Sequence, residues 1–106
     1  MTDTGKTRAQ ELLGDIAPEM VRLTDDVLFG QVWSDPGLSR RDRSLVTVSV
    51  LAALGRTDQL RSHLRLALEN GLGQEELATA LTHLAFYAGW PAGMTGITEL
   101  KKITEE

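Results

Sequence analysis

Apolar residues along the chain recur three and four positions apart, and no stretch alternates at period two for more than a few residues. That spacing predicts helices and no sheet. A first segment, about Asp15 to Trp33, sets Ile16, Met20, Leu23, Val27 and Val32 on one stripe, and "SDPG" at 34–37 stops it because Pro36 cannot continue a helix. Ser39 then opens a second helix. With Asp42 three positions on, it makes a capping-box signature ahead of the apolar run "LVTVSVLAAL", and Gly55 supplies the stop. Thr47 and Ser49 are the only small interruptions in that run, so it is expected to be the central buried helix.

Only "GRT" separates this helix from the next, for which Thr57 is the expected cap and Gly71 the end. So short a link makes the two an antiparallel αα-hairpin. A further helix over about Gln74 to Ala88 starts on Glu75 and Glu76, where the helix dipole favours negative charge, and carries the stripe Leu77, Ala80, Leu81, Leu84, Ala85 and Ala88. "GWPAG" breaks the chain and places Pro91 in the first turn of a last helix, expected to run through Met94 and Ile97 to a frayed, charged end. The predicted fold is all-α, about five helices around a central antiparallel αα-hairpin. Residues 1–14 are read as a flexible N-terminal segment and 15–106 as a single helical domain.

A chain of 106 residues, 42% hydrophobic, has the size of one domain. A domain of this size buries only about 60–70% of the surface its unfolded chain exposes, so association with further copies of itself would add core. The absence of cysteine excludes disulfides, thiolate metal sites and thiol redox chemistry. A net charge of −4, with the densest basic cluster "SRRDR" interrupted by Asp42, argues against a nucleic-acid partner. No apolar run approaches the roughly 18 residues of a membrane span, and the N-terminal stretch has no apolar leader core. The expectation is a cytoplasmic protein with neither nucleic acid nor membrane as a partner.

Two histidines are the candidates for chemistry. His63 shares its helix face with Leu60, Leu64 and Ala67, so it points inward, either as a core histidine bonded to a backbone carbonyl or as an acid–base group. Arg61 and Arg65 point elsewhere by the same spacing. His83, Tyr87 and Trp90 follow at i, i+4 and i+7, lining a pocket or a subunit contact, or forming an aromatic packing edge. Phe29 and Trp33 read as core or interface residues. No recognised metal-ligand spacing, phosphate loop or GxSxG element is present. These patterns alone describe a self-associating helical domain with a histidine-lined pocket and no assigned function.

From Leu28 to Met94 the residues nevertheless form a set: "VWSDPGL", "RDRSLVTV", "HLRLALENG" and "AFYAGWPAGM". This stretch resembles the carboxymuconolactone decarboxylase family. The resemblance implies an alkylhydroperoxidase-like all-α fold assembled into homotrimers or homohexamers. It also implies cofactor-free decarboxylation of a small carboxylated lactone such as 4-carboxymuconolactone, in aromatic catabolism. On that reading His63 is the proton donor and His83 a second catalytic group. Arg43 holds a retained carboxylate, and Trp33, Tyr87 and Trp90 contact the substrate. The thiol peroxidases of the same superfamily use CxxCxxxH, and aligning that histidine with His63 puts Arg56 and Gln59 at the cysteine positions, which excludes their chemistry. Gln31 stands where family members with "GEIW" have glutamate. A non-enzymatic oligomeric binding module, or an isomerase or hydrolase of related lactones or keto acids, are the alternatives.

Overall fold

The computed structural model describes residues 5–106, and these divide into two compact units, residues up to Gly37 and Leu38–Glu106. Among the described residues all regular structure is helical, and no helix is long and apolar enough to cross a membrane. Part of the stretch 1–14 lies outside the described residues. Within it, α1 (Arg8–Leu13) is closed by a reciprocal cap: the Thr7 hydroxyl accepts from the Gln10 amide at 3.1 Å and the Gln10 side chain accepts from the Thr7 amide at 2.8 Å. The Thr7 hydroxyl also donates to Asp25 at 2.8 Å.

The first unit corrects the expected helix from Asp15 to Trp33. Pro18 starts a short α2 (Pro18–Arg22), which passes directly into a π-helix over Leu23–Val32 that ends with the Trp33 amide donating to Leu28 O, five residues back, at 2.9 Å. A wider turn destroys the 3.6-residue stripe, because residues spaced for an α-helix rotate away from one another. Leu23 and Val32 are accordingly exposed, as are Ile16 and Met20 ahead of the π-helix, and burial in this unit falls on Val21 and Trp33. The first predicted helix is thus two helical segments of different winding.

The second unit holds four helices of ordinary winding: α3 (Arg40–Leu54), α4 (Thr57–Glu69), α5 (Gln74–Ala88) and α6 (Trp90–Thr104). Ser39 caps α3, its hydroxyl accepting from the Asp42 amide at 3.1 Å, and Gly55 ends it in the left-handed conformation. Arg56 is the residue before α4 and Thr57 its first helical residue, so the expected threonine cap is absent. The α3–α4 hairpin forms as predicted, and α5 and α6 make a second antiparallel pair about Gly89. Alternate helices run the same way: Arg41 of α3 pairs with Glu76 near the start of α5, while Arg61 and Arg65 of α4 pair with Glu99 and Glu106 toward the C-terminal end.

Burial is more one-sided than the apolar run of α3 suggests. Ser44, Val48 and Ala52 are buried, but Val46, Val50 and Leu54 form an exposed apolar row, so α3 is not enclosed on all sides. The core is made by Val48 and Ala52 with Leu60, Leu64, Ala67, Leu72, Leu77, Leu81, Leu84, Leu100 and Ile103. The last helix runs through Met94 and Ile97 as expected; its inward face is Gly93, Gly96, Glu99, Leu100 and Ile103, and Met94 and Ile97 face outward. The glycines explain that choice. A Cβ at Gly93 would meet the Ala85 Cβ at 2.5 Å, and one at Gly96 would meet Leu81 Cδ2 at 2.7 Å, so only glycine lets α6 approach α5 this closely.

The end of α6 is also anchored rather than frayed. Glu99, 4% exposed, accepts from Arg61 Nε at 3.0 Å and Nη2 at 3.1 Å, with Lys102 Nζ at 3.4 Å. Arg65 Nε donates to Glu106 at 3.1 Å. The Arg61 hydrogen bonds, followed by those of Lys102, hold the Glu99 carboxyl below its ordinary range against the opposing effect of burial.

Candidate active site

α3 and α5, lying side by side in the same direction, leave an open groove of about 990 Å³ between them. From α3 come Arg41, Leu45 and Ser49, one helical turn apart. Leu72 and α5 supply the rest, with Glu75 and Glu76 at one end, Thr79, Ala80 and Leu84 in the middle, and His83 and Tyr87 at the other. The floor is apolar and the ends are polar, the usual arrangement for orienting a small molecule. Ser49 and Thr79 each donate their hydroxyl hydrogen back to their own helix, to Leu45 O at 2.8 Å and Glu75 O at 2.9 Å, and face the groove as acceptors.

The charged end is organised by Glu76. Its Oε1 accepts from the Gly73 amide at 3.0 Å, capping α5, while Oε2 pairs with Arg41 Nη2. Arg41 Nη1 also lies 3.4 Å from Asp42 Oδ1. At the far end the His83 and Tyr87 rings are 5.1 Å apart and tilted by 39°. Both side chains are exposed on the groove wall, Tyr87 at 82%. About 10 Å of helix rise separates Glu76 from His83 along α5.

The groove unites only two of the six residues singled out by sequence, His83 and Tyr87. Trp90 was expected to extend their row at i+7, but Gly89, at φ 109°, ends α5, and Trp90 begins α6. Helical spacing does not carry across that break. Trp90 instead meets Phe86 edge-on, ring centroids 5.7 Å apart. Arg43, two residues beyond Arg41, lies on another face of α3, half-buried with its Nε shielded from solvent. Trp33 belongs to the N-terminal unit, 5% exposed and stacked on Phe29 at 5.9 Å. Arg41 and Glu76 are the groove residues that sequence reasoning missed as a pair. Each carried a local signal, a basic helix start and an acidic first turn, but nothing local joins residues 35 positions apart.

His63 lies on α4, outside this groove, half-buried with its Nδ1 enclosed. Burial disfavours the imidazolium and pushes its pKa below 6.5. The unfolded chain therefore binds a proton more readily than the folded one, and stability falls as pH drops through and below about 6.5. Urea unfolding at pH 7.5 and 5.5 should show a loss for the native chain that is smaller in His63→Gln. Equal losses in both would remove His63 as the source. Carboxylates such as Glu99 contribute only at lower pH, around and below their ordinary value of about 4.3.

Among the described residues, no group of three or more histidine, aspartate or glutamate side chains is placed to hold a metal ion. Residues 18–102, most of both units, match the model of the carboxymuconolactone decarboxylase family. The chain belongs to the carboxymuconolactone decarboxylase family. It is 46% identical over 85 residues to the 4-carboxymuconolactone decarboxylase of Acinetobacter baylyi, a match covering 80% of this chain and 63% of that protein. It is 38% identical over 64 residues to a nitrosuccinic acid decarboxylase of Metarhizium robertsii, covering 60% of this chain and 45% of that one. The chain thus spans less than two thirds of the length of either relative. As a member of the family, its α3–α5 groove acquires a chemistry to test.

Proposed function

We propose that the protein is a carboxy-lyase acting on a small polycarboxylic acid in the α3–α5 groove, without a cofactor. The observation that carries this reading is the alignment of an anion-binding side chain, an apolar floor and an acid–base pair along one groove: Arg41, then Leu45, Ala80 and Leu84, then His83 and Tyr87. Family membership supports it, and so does the chemistry in the names of the two relatives. 4-Carboxymuconolactone and nitrosuccinic acid are both acids with more than one carboxyl, and each has an electron sink for the carbon that loses carbon dioxide: a lactone carbonyl conjugated to it through an alkene in the first, a nitro group bonded to it in the second. Loss of carbon dioxide breaks the C–C bond and sends its electron pair onto a conjugated oxygen, giving a dienolate or a nitronate.

In this reading Arg41 holds the carboxylate that is retained, as a planar guanidinium can by two parallel hydrogen bonds. The Tyr87 hydroxyl donates to the developing oxyanion, and His83 delivers a proton to the carbon that lost carbon dioxide. The apolar floor favours neutral carbon dioxide over the departing carboxylate. The second reading keeps His63 as the proton donor, supported by its shielded position, where burial pulls its pKa downward. The test is carbon dioxide release from 4-carboxymuconolactone and from nitrosuccinate by the purified chain. A folded protein that releases none from either acid would overturn the carboxy-lyase reading in favour of a binding module.

The same proposal includes self-association into homotrimers or homohexamers. The exposed row Val46, Val50 and Leu54 on α3, with Phe86, Trp90 and Met94 about the α5–α6 turn, is apolar surface that further copies would cover. Light scattering should give a multiple of 11.6 kDa, and Val50→Glu should shift it toward the single chain. A native chain that scatters as a monomer at high micromolar concentration would rule this out.

A further inference from the structure

We infer that Glu76 is an internal carboxylate that pairs with Arg41 at one end of the groove, and that an acidic substrate binds by displacing it. This inference rests on the α3–α5 groove being the substrate site. Glu76 presents to Arg41 the same group that a substrate would: Oε2 sits on Nη2 of the guanidinium, within the groove lining. The two oxygens of Glu76 have separate tasks, because Oε1 accepts from the Gly73 amide at 3.0 Å. When Oε2 leaves Arg41, the cap on α5 is retained, so exchange does not require the helix end to unwind.

The exchange is between like groups and costs little. An ion pair this exposed contributes little, and Arg41 and Glu76 are 40% and 52% exposed. The charge around it matters more. Arg41 shares this end of the groove with both Glu75 and Glu76, one positive group against two negative ones. A small anion gains from Arg41 about what Glu76 already gives it and meets net repulsion. An acid with an apolar body gains in addition from Leu45, Leu72, Ala80 and Leu84. Glu76 is therefore a specificity-determining residue, selecting polycarboxylic acids with a carbon skeleton over short or inorganic anions.

Adipate, an unreactive dicarboxylate, is the probe, and calorimetric titration of the full chain is the readout, so the result does not depend on turnover. Glu76→Gln keeps an acceptor for the Gly73 amide, removes the competing charge and should bind adipate about 3- to 10-fold more tightly than the native chain. Arg41→Gln should lose binding, and in the double variant Glu76→Gln should give no further gain. Glu76→Ala, which removes the cap as well, should lower the melting temperature while Glu76→Gln does not. Unchanged adipate affinity in Glu76→Gln, or a gain that persists without Arg41, would overturn the inference. Carbon dioxide release by the native chain alongside either result would leave the carboxy-lyase reading standing, and tighter adipate binding without any release would leave only the anion site.

Discussion

Replacing His83 by glutamine is expected to slow decarboxylation by roughly 10²–10⁴-fold, the usual contribution of a positioned general acid. Glutamine retains a hydrogen-bond donor and much of the ring's volume, but it has no proton to deliver near neutral pH. Because His83 is exposed on the groove wall and outside the buried core, the substitution should leave the melting temperature within about 2–4 °C, in line with surface changes of about ±0.5 kcal/mol. The loss should therefore appear in kcat with little change in KM, since Arg41 and the apolar floor would still bind substrate. Parallel assays of His83→Gln and His63→Gln decide which imidazole is used. Full turnover in the first with loss in the second would move the proton to α4 and leave the α3–α5 groove without its acid.

Leu81→Ala should have the largest effect on stability. Leu81 is fully buried on α5, and its side chain fills the space opposite Gly96, where α6 comes closest. Removing it deletes apolar burial and leaves a cavity that neither helix can easily close, because both sides of the contact are already set by small residues, at Gly93 and Gly96 on α6 and at Ala85 on α5. The expected loss is about 3–5 kcal/mol, the upper part of the leucine-to-alanine range. At roughly 4–8 °C per kcal/mol for a domain of this size, the melting midpoint should fall by about 12–40 °C. Leu81→Met, which conserves volume, should cost less than about 1.5 kcal/mol. Similar melting of the alanine and native chains would show that the α5–α6 contact is not where the stability of this unit lies.

Much of the helical framework is legible in the sequence. Ser39 and Gly55 bound α3, the short "GRT" link forces the α3–α4 hairpin, and α5 spans the predicted Gln74–Ala88. These features depend on residues within a few positions of one another, so local chemistry suffices. The winding of Leu23–Val32 was not legible, because an i→i+5 helix and an i→i+4 helix can carry the same apolar residues and differ only in which of them line up. The outward turn of Met94 and Ile97 was hidden for a related reason. α6 has two faces that could be buried, and α5 accepted the one bearing Gly93 and Gly96, where the backbones can approach.

For the site, His83 and Tyr87 were legible as an i, i+4 pair on α5, while Trp90 was lost to the helix break at Gly89. The resemblance over Leu28–Met94 pointed to the family, and the match over residues 18–102 establishes it. Arg41 and Glu76 became a pair only when α3 and α5 lay side by side, and Glu99 became a buried, twofold-bonded carboxylate only when Arg61 of α4 reached it. The sequence by itself determined the bounds of α3 and α5, the hairpin and the absence of thiol chemistry, because capping groups, turn residues and composition act locally or not at all. Tertiary structure decided which helix face is buried, which charges meet and which histidine opens onto the groove. Those outcomes depend on how closely two helices far apart in the chain can pack, and that distance is set by the side chains of both.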